Sequence, residues 1–153
     1  MSLSLEELRE ELEADEPDYA ALAARFGPAA LVFLEQLARF NEPMVAPKAI
    51  YLAALIPDAL AARIVLEAAR HQDPRWKVAA AAAAADLNPA DASAVVELLL
   101  KDADPGVRKT AVQSVPPQPS AALEAILKNA VASDTESYIR ELAQKALDRV
   151  NQR

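Results

Sequence analysis

The chain has 153 residues, 53% of them hydrophobic but only 5% aromatic, with 36 alanines, two glycines, eleven prolines and a net charge of −7. The absence of cysteine and a single histidine, His71, exclude disulfides, thiol nucleophiles, cysteine- or histidine-rich metal sites and a hydrolase triad with an imidazole to spare. The length suits one domain, 1–153, and the alanine-rich, glycine-poor composition offers material for helices but little for sheets or glycine-rich phosphate loops.

Residues 1–18 hold eight acids against the one base Arg9, so residues 19–153 balance at 15 acids and 15 bases. An acidic start is the reverse of a secretory leader, and no uninterrupted run nears the roughly 18 apolar residues of a membrane span, so the expectation is a cytoplasmic chain with no membrane partner. The neutral body lacks the stripe of cations that phosphate-driven binding needs, which argues against nucleic acid as a partner. Met1-Ser2-Leu3 is set aside as leader-like. Helical signal begins at Ser4, which forms a capping box with Glu7; Pro17 opens a second helix and Gly27 closes it. Residues 1–27 thus read as a divergent, acidic helical pair.

From residue 28 onward the chain repeats. Pro43, Pro74 and Pro105 stand 31 residues apart, as do Val45, Trp76 and Val107, and Ala49, Ala80 and Ala111; a fourth copy runs one residue late, with Ile139 and Ala143. Apolar-periodic segments at 58–70, 90–101 and 120–132 lie between the copies, so each unit is two helices. Asp73 and Asp104 are N-caps followed by proline at the first helical position, and Asn88-Pro89 starts an intervening helix in the same way. Asp73 with Lys77, Asp104 with Arg108 and Glu136 with Arg140 have the favourable acid-first i, i+4 spacing. Seven consecutive alanines, Ala79–Ala85, suit a helix covered on most sides, where small side chains let neighbouring axes approach closely. The last copy carries Glu141, Gln144, Lys145 and Asp148 on its outer face, as a terminal cap should.

"DPGVRKTA" (104–111) and, more loosely, "DPRWKVAA" (73–80) resemble the Asp-Pro-x-Val-Arg-x-x-Ala signature of HEAT repeats. The first copy departs from it at Glu42 and Ala46, and the fourth lacks the proline. The resemblance implies an all-α, right-handed superhelical solenoid of about five helical pairs, four of them in 28–153. It further implies that the second helices line a concave face where partners lie.

The residues that invite a functional reading also have plainer ones. Trp76 takes the place of valine in the other copies, which favours packing over a binding hot spot. Lys77, Arg108 and Arg140 read as an inter-repeat ladder before they read as an anion site. His71 ends a first helix beside the Asp73 cap, with no nucleophile to serve. The face of the second helices away from the core carries Met44, Lys48, Tyr51, Arg75, Ala82, Lys109 and Gln113, and these are the candidate partner-binding residues. The expectation is a non-catalytic, protein- or peptide-binding scaffold without cofactor or metal, monomeric or a weak homodimer. The rivals are a HEAT-like enzyme or enzyme subunit, resembling either bilin lyases or alkylated-base DNA glycosylases, and a purely structural spacer.

Overall fold

The computed structural model describes residues 2–152. Among them run ten α-helices: α1 (Leu5–Leu12), α2 (Tyr19–Phe26), α3 (Leu31–Arg39), α4 (Ala46–Ala54), α5 (Ala59–Ala69), α6 (Pro74–Ala83), α7 (Pro89–Leu99), α8 (Pro105–Gln113), α9 (Ala121–Ser133) and α10 (Ser137–Asn151). Seven start on a side chain that accepts a free backbone N–H: Ser4, Asp18, Asp58, Asp73, Asn88, Asp104 and Ser120.

The helices form two layers. α1, α3, α5, α7 and α9 stack in one, α2, α4, α6, α8 and α10 in the other, and from α3 onward each odd helix packs on the even helix that follows it. The first pair is joined instead by Arg25, which reaches Glu7 at 3.5 Å and Glu11 at 3.4 Å across from α2 to α1. Buried side chains from Leu8 to Leu147 make one cluster, and Leu3, set aside in the sequence reading, packs against it. Burial of this apolar surface is what holds the stack, at roughly 25 cal/mol per Å².

α6 explains its alanines. It touches α4, α5, α7 and α8, and of Ala79–Ala85 only Ala82 and Ala85 are exposed. Buried methyl groups let these axes approach closely.

Two expectations are corrected. The acid-first i, i+4 pairs do not form: Lys77 Nζ lies 2.6 Å from Asp102, and Arg108 lies 2.9 Å from Asp134, each acid belonging to the following repeat. Asp73 is held instead by Arg75 at 2.7 Å, and Arg140 donates to the Asp134 carbonyl. The ladder exists, with different rungs. A capping aspartate spends its oxygens on backbone N–H groups, so the cation one turn on turns to a free carboxylate in the next unit.

Secondly, α4 begins at Ala46, three residues later than the register of Pro74 and Pro105 requires. Glu42 sits at the cap position, but its carboxylate pairs with Arg9 at 2.8 Å, and Pro47 sets the first turn instead.

Tyr19–Arg39, 21 residues, has the length and mean composition of a membrane span, although Arg25, Glu35 and Gln36 interrupt its apolar run. In the fold it is broken: Gly27, at φ +59°, and the 3-10 turn Gly27–Ala30 send α2 and α3 into different layers, where Leu22, Leu31, Leu34 and Leu37 are buried.

Candidate functional site

The ladder lapses at one junction. Lys77 and Arg108 correspond, 31 residues apart, to Ala46 in the earlier repeat, which is buried and has no charge to offer. The acids also correspond: Asp102 and Asp134 each precede a helix cap by two residues, and the residue in that place before Asp73 is His71. It performs the same local task. Its Nδ1 accepts the Asp73 N–H at 2.9 Å, as Asp102 accepts the Asp104 N–H and Asp134 the Glu136 N–H, both at 3.0 Å. The imidazole then lies flat on the Trp76 indole, with ring centroids 4.5 Å apart and planes 9° from parallel.

Trp76 is 1% exposed, and its Nε1–H donates to the Ala38 carbonyl at the end of α3, 2.9 Å away. Packing is therefore a role it has, as its place in the repeat predicts. The ring is larger than the valine or isoleucine of the other copies and lies where α3, α5 and α6 meet. A cleft of about 190 Å³ opens there, with Ala38, Ile64 and Ala68 as its apolar lining, the His71 and Trp76 rings on one side, and Glu35, Arg39 and Glu67 at the rim. Arg39 grips Glu67 with two hydrogen bonds of 2.7 and 3.1 Å, which hold the Glu67 carboxyl below and the Arg39 guanidinium above their ordinary values. Glu35, its side chain 22% exposed, meets that same guanidinium only at 3.7 Å and makes no hydrogen bond among the described residues. A hollow of about 390 Å³ at the start of α5 and α7 offers less chemistry, since Asp58 and Asn88 there are spent on capping.

The candidate partner-binding residues fall into rows along the second helices. Tyr51, Ala82 and Gln113 are register equivalents, and Met44 and Arg75 form another such row. Met44, at 74%, Arg75, Ala82, Lys109 and Gln113 are exposed. Two are not free. Lys48 donates to the Ala14 carbonyl at 2.6 Å and so fastens the α1–α2 loop, and Tyr51 is half-buried, edge-on to Tyr19 at 5.9 Å, with burial raising both phenols above their ordinary value. Glu35, Arg39 and Glu67 went unnoticed in the sequence. The signal that leads to them is the pair of substitutions at ladder positions, Ala46 for a cation and His71 for an acid.

No family model and no curated protein matches the chain. Among solved structures, the complex of CpcE and CpcF of phycocyanin lyase from Nostoc sp. PCC7120 is similar, with a TM-score of 0.66 and 20% identity over 84% of this chain and 86% of that one. The fold is that of the HEAT-like helical repeats. This is the architecture the sequence resemblance implied, and the HEAT-like match extends over most of the chain. The likeness also corrects the expectation of a non-catalytic scaffold. That expectation rested on the missing cysteine and the lone histidine, yet a chain of the same fold and similar extent belongs to a complex named as a lyase, so a poor inventory of nucleophiles is no ground for calling a HEAT-like chain inert.

Proposed function

We propose that the chain is one subunit of a lyase-type enzyme resembling the phycocyanin lyase complex, and that it works together with a second protein subunit. The observation that carries this is the mutual coverage of the likeness, 84% and 86%, which matches whole chain to whole chain rather than a shared motif. The residue inventory supports the need for a partner, because the cleft beside Trp76 contains two carboxylates and an imidazole but no nucleophile. The exposed rows of the second helices, and the edge bearing Phe40, Met44 and His71, are the surfaces offered for assembly.

The test is reconstitution. The chain is co-expressed with a candidate HEAT-like second subunit, the mass of the product is measured by light scattering, and the pair is incubated with a bilin and an apo-phycobiliprotein acceptor. A stoichiometric complex that yields covalent chromophore on the acceptor, where neither subunit alone does so, is the expected result. A chain that stays monomeric beside every such partner overturns the reading.

A further inference from the structure

We infer that the cleft beside the His71–Trp76 stack receives a single arginine side chain of the partner protein. The argument begins with size. An apolar cavity of about 150 Å³ holds benzene, with its six heavy atoms, so about 190 Å³ holds about seven, the number in an arginine side chain beyond Cα. It is smaller than the roughly 300–1,000 Å³ pockets that enclose drug-sized ligands.

Charge comes next. Glu67 is neutralised by Arg39, whose two bonds to it leave Glu35 with only a 3.7 Å contact. One shielded carboxylate therefore borders the cleft without a hydrogen bond of its own, and a guanidinium supplies several donors. The stem of such a side chain covers Ile64 and Ala68 while its head meets the acid. His71 adds an acceptor-seeking group: with Nδ1 taken by the Asp73 N–H, the neutral ring carries its proton on Nε2, which has no partner among the described residues. A main-chain carbonyl flanking the inserted arginine suits it.

The surroundings favour a protein as the source. By the 31-residue register, Phe40 stands one repeat before His71 and Met44 one repeat before Arg75, and these two are exposed by 41% and 74%. An apolar pair on the same edge gives the rest of a partner's surface something to cover, which a free small molecule does not need.

The inference rests on the proposed function only for the identity of the partner; the cleft itself is tested on the isolated chain. Trp76 and His71 are the only residues of their types, so each gives one unambiguous resonance. N-acetyl-arginine amide is titrated into labelled chain while the Trp76 indole and His71 imidazole signals are followed. The expected result is saturable shifts with a Kd on the order of 1–10 mM, at least about fivefold weaker binding of the neutral isostere N-acetyl-citrulline amide, and loss of the arginine response in Glu35→Gln with the melting temperature unchanged. Equal binding of the citrulline compound, an undiminished response in Glu35→Gln, or no saturation at about 50 mM overturns the inference. Free arginine binding tenfold tighter than the capped amide overturns the partner as its source. Failure of reconstitution alone leaves these titrations standing, and failure of the titrations leaves a two-subunit lyase standing.

Discussion

Arg108 of α8 closes on Asp134, the residue two places before the cap of the next unit, at 2.9 and 3.2 Å, with side chains only 12% and 7% exposed. The same guanidinium takes the carbonyls of Asp102 and Ala103, and Asp134 accepts the Glu136 N–H. One shielded ion pair thus organises two inter-helix loops. Removing one member strands the other. Arg108→Met is expected to cost about 1.5–3 kcal/mol in urea unfolding. Arg75→Met, whose partner Asp73 remains a cap, is expected to change stability by less than about 1 kcal/mol. Equal midpoints for the two variants contradict the ladder's structural role.

Acid should weaken the protein through the same groups. Burial pushes the Asp102 and Asp134 carboxyls up, but Lys77, Arg108 and the cap N–H groups outweigh it and hold both below the ordinary 3.8. Asp73 is held at about 2 by the Arg75 guanidinium and backbone N–H. A folded-state value below the unfolded one contributes stability that is fully present above the unfolded value and is lost as pH falls through the folded one. Stability should therefore decline from about pH 4 downward, toward pH 2 for Asp73. Melting curves between pH 6 and about pH 2 should show a shallower acid decline for Arg108→Met than for the parent; parallel curves would remove Asp134 from this account.

The alanine helix gives a steric test. Ala83 is buried where α6 meets its neighbours, and Ala85 is exposed. Ala83→Leu should overpack the stack and cost about 1–3 kcal/mol, while Ala85→Leu stays within about 0.5 kcal/mol. A protein of this size shifts its melting temperature by roughly 2–4 °C per kcal/mol, so scanning calorimetry separates the two.

Tyr51 changes character once its contact with Tyr19 is seen. The sequence places it on a binding strip, where truncation should leave folding intact; edge-on packing at 5.9 Å makes it part of the α2–α4 seam. Tyr51→Ala should cost about 1–3 kcal/mol, whereas Gln113→Ala, two repeats further along the same row, should be neutral to folding. A Tyr51→Ala melt identical to the parent's returns Tyr51 to the free surface.

The helices were legible because their signals are local. Asp73, Asp104 and Asn88 cap where the sequence predicts, and positions 45, 49, 52 and 56 of the first copy are all buried. What escaped was anything settled by a choice between partners. Lys77 has an acid one turn before it, and nothing in the spacing says that Asp73 is already committed to backbone and to Arg75. The late start of α4 depends on Arg9, 33 residues away, drawing off Glu42. The cleft was hidden for the same reason: Glu35 and Glu67 look like ordinary surface acids until α3 and α5 are set side by side.

The inter-repeat ion pairs share a direction. In Arg9–Glu42, Arg39–Glu67, Lys77–Asp102 and Arg108–Asp134 the cation comes earlier in the chain and the acid 25 to 33 residues later. During synthesis, which proceeds from the N-terminus, each emerging unit meets a charged anchor already presented by the one before it, and in none of these four pairs does the acid wait for a cation still to be made. The same polarity makes the two ends unequal under truncation. Cutting the chain after Ser133 leaves the Arg108 cation without its carboxylate, whereas deleting residues up to Gly27 leaves the Glu42 carboxylate without its cation; each cut spares the other three pairs. The stack therefore grows, and comes apart, with a sense of direction that its repeating architecture alone does not impose.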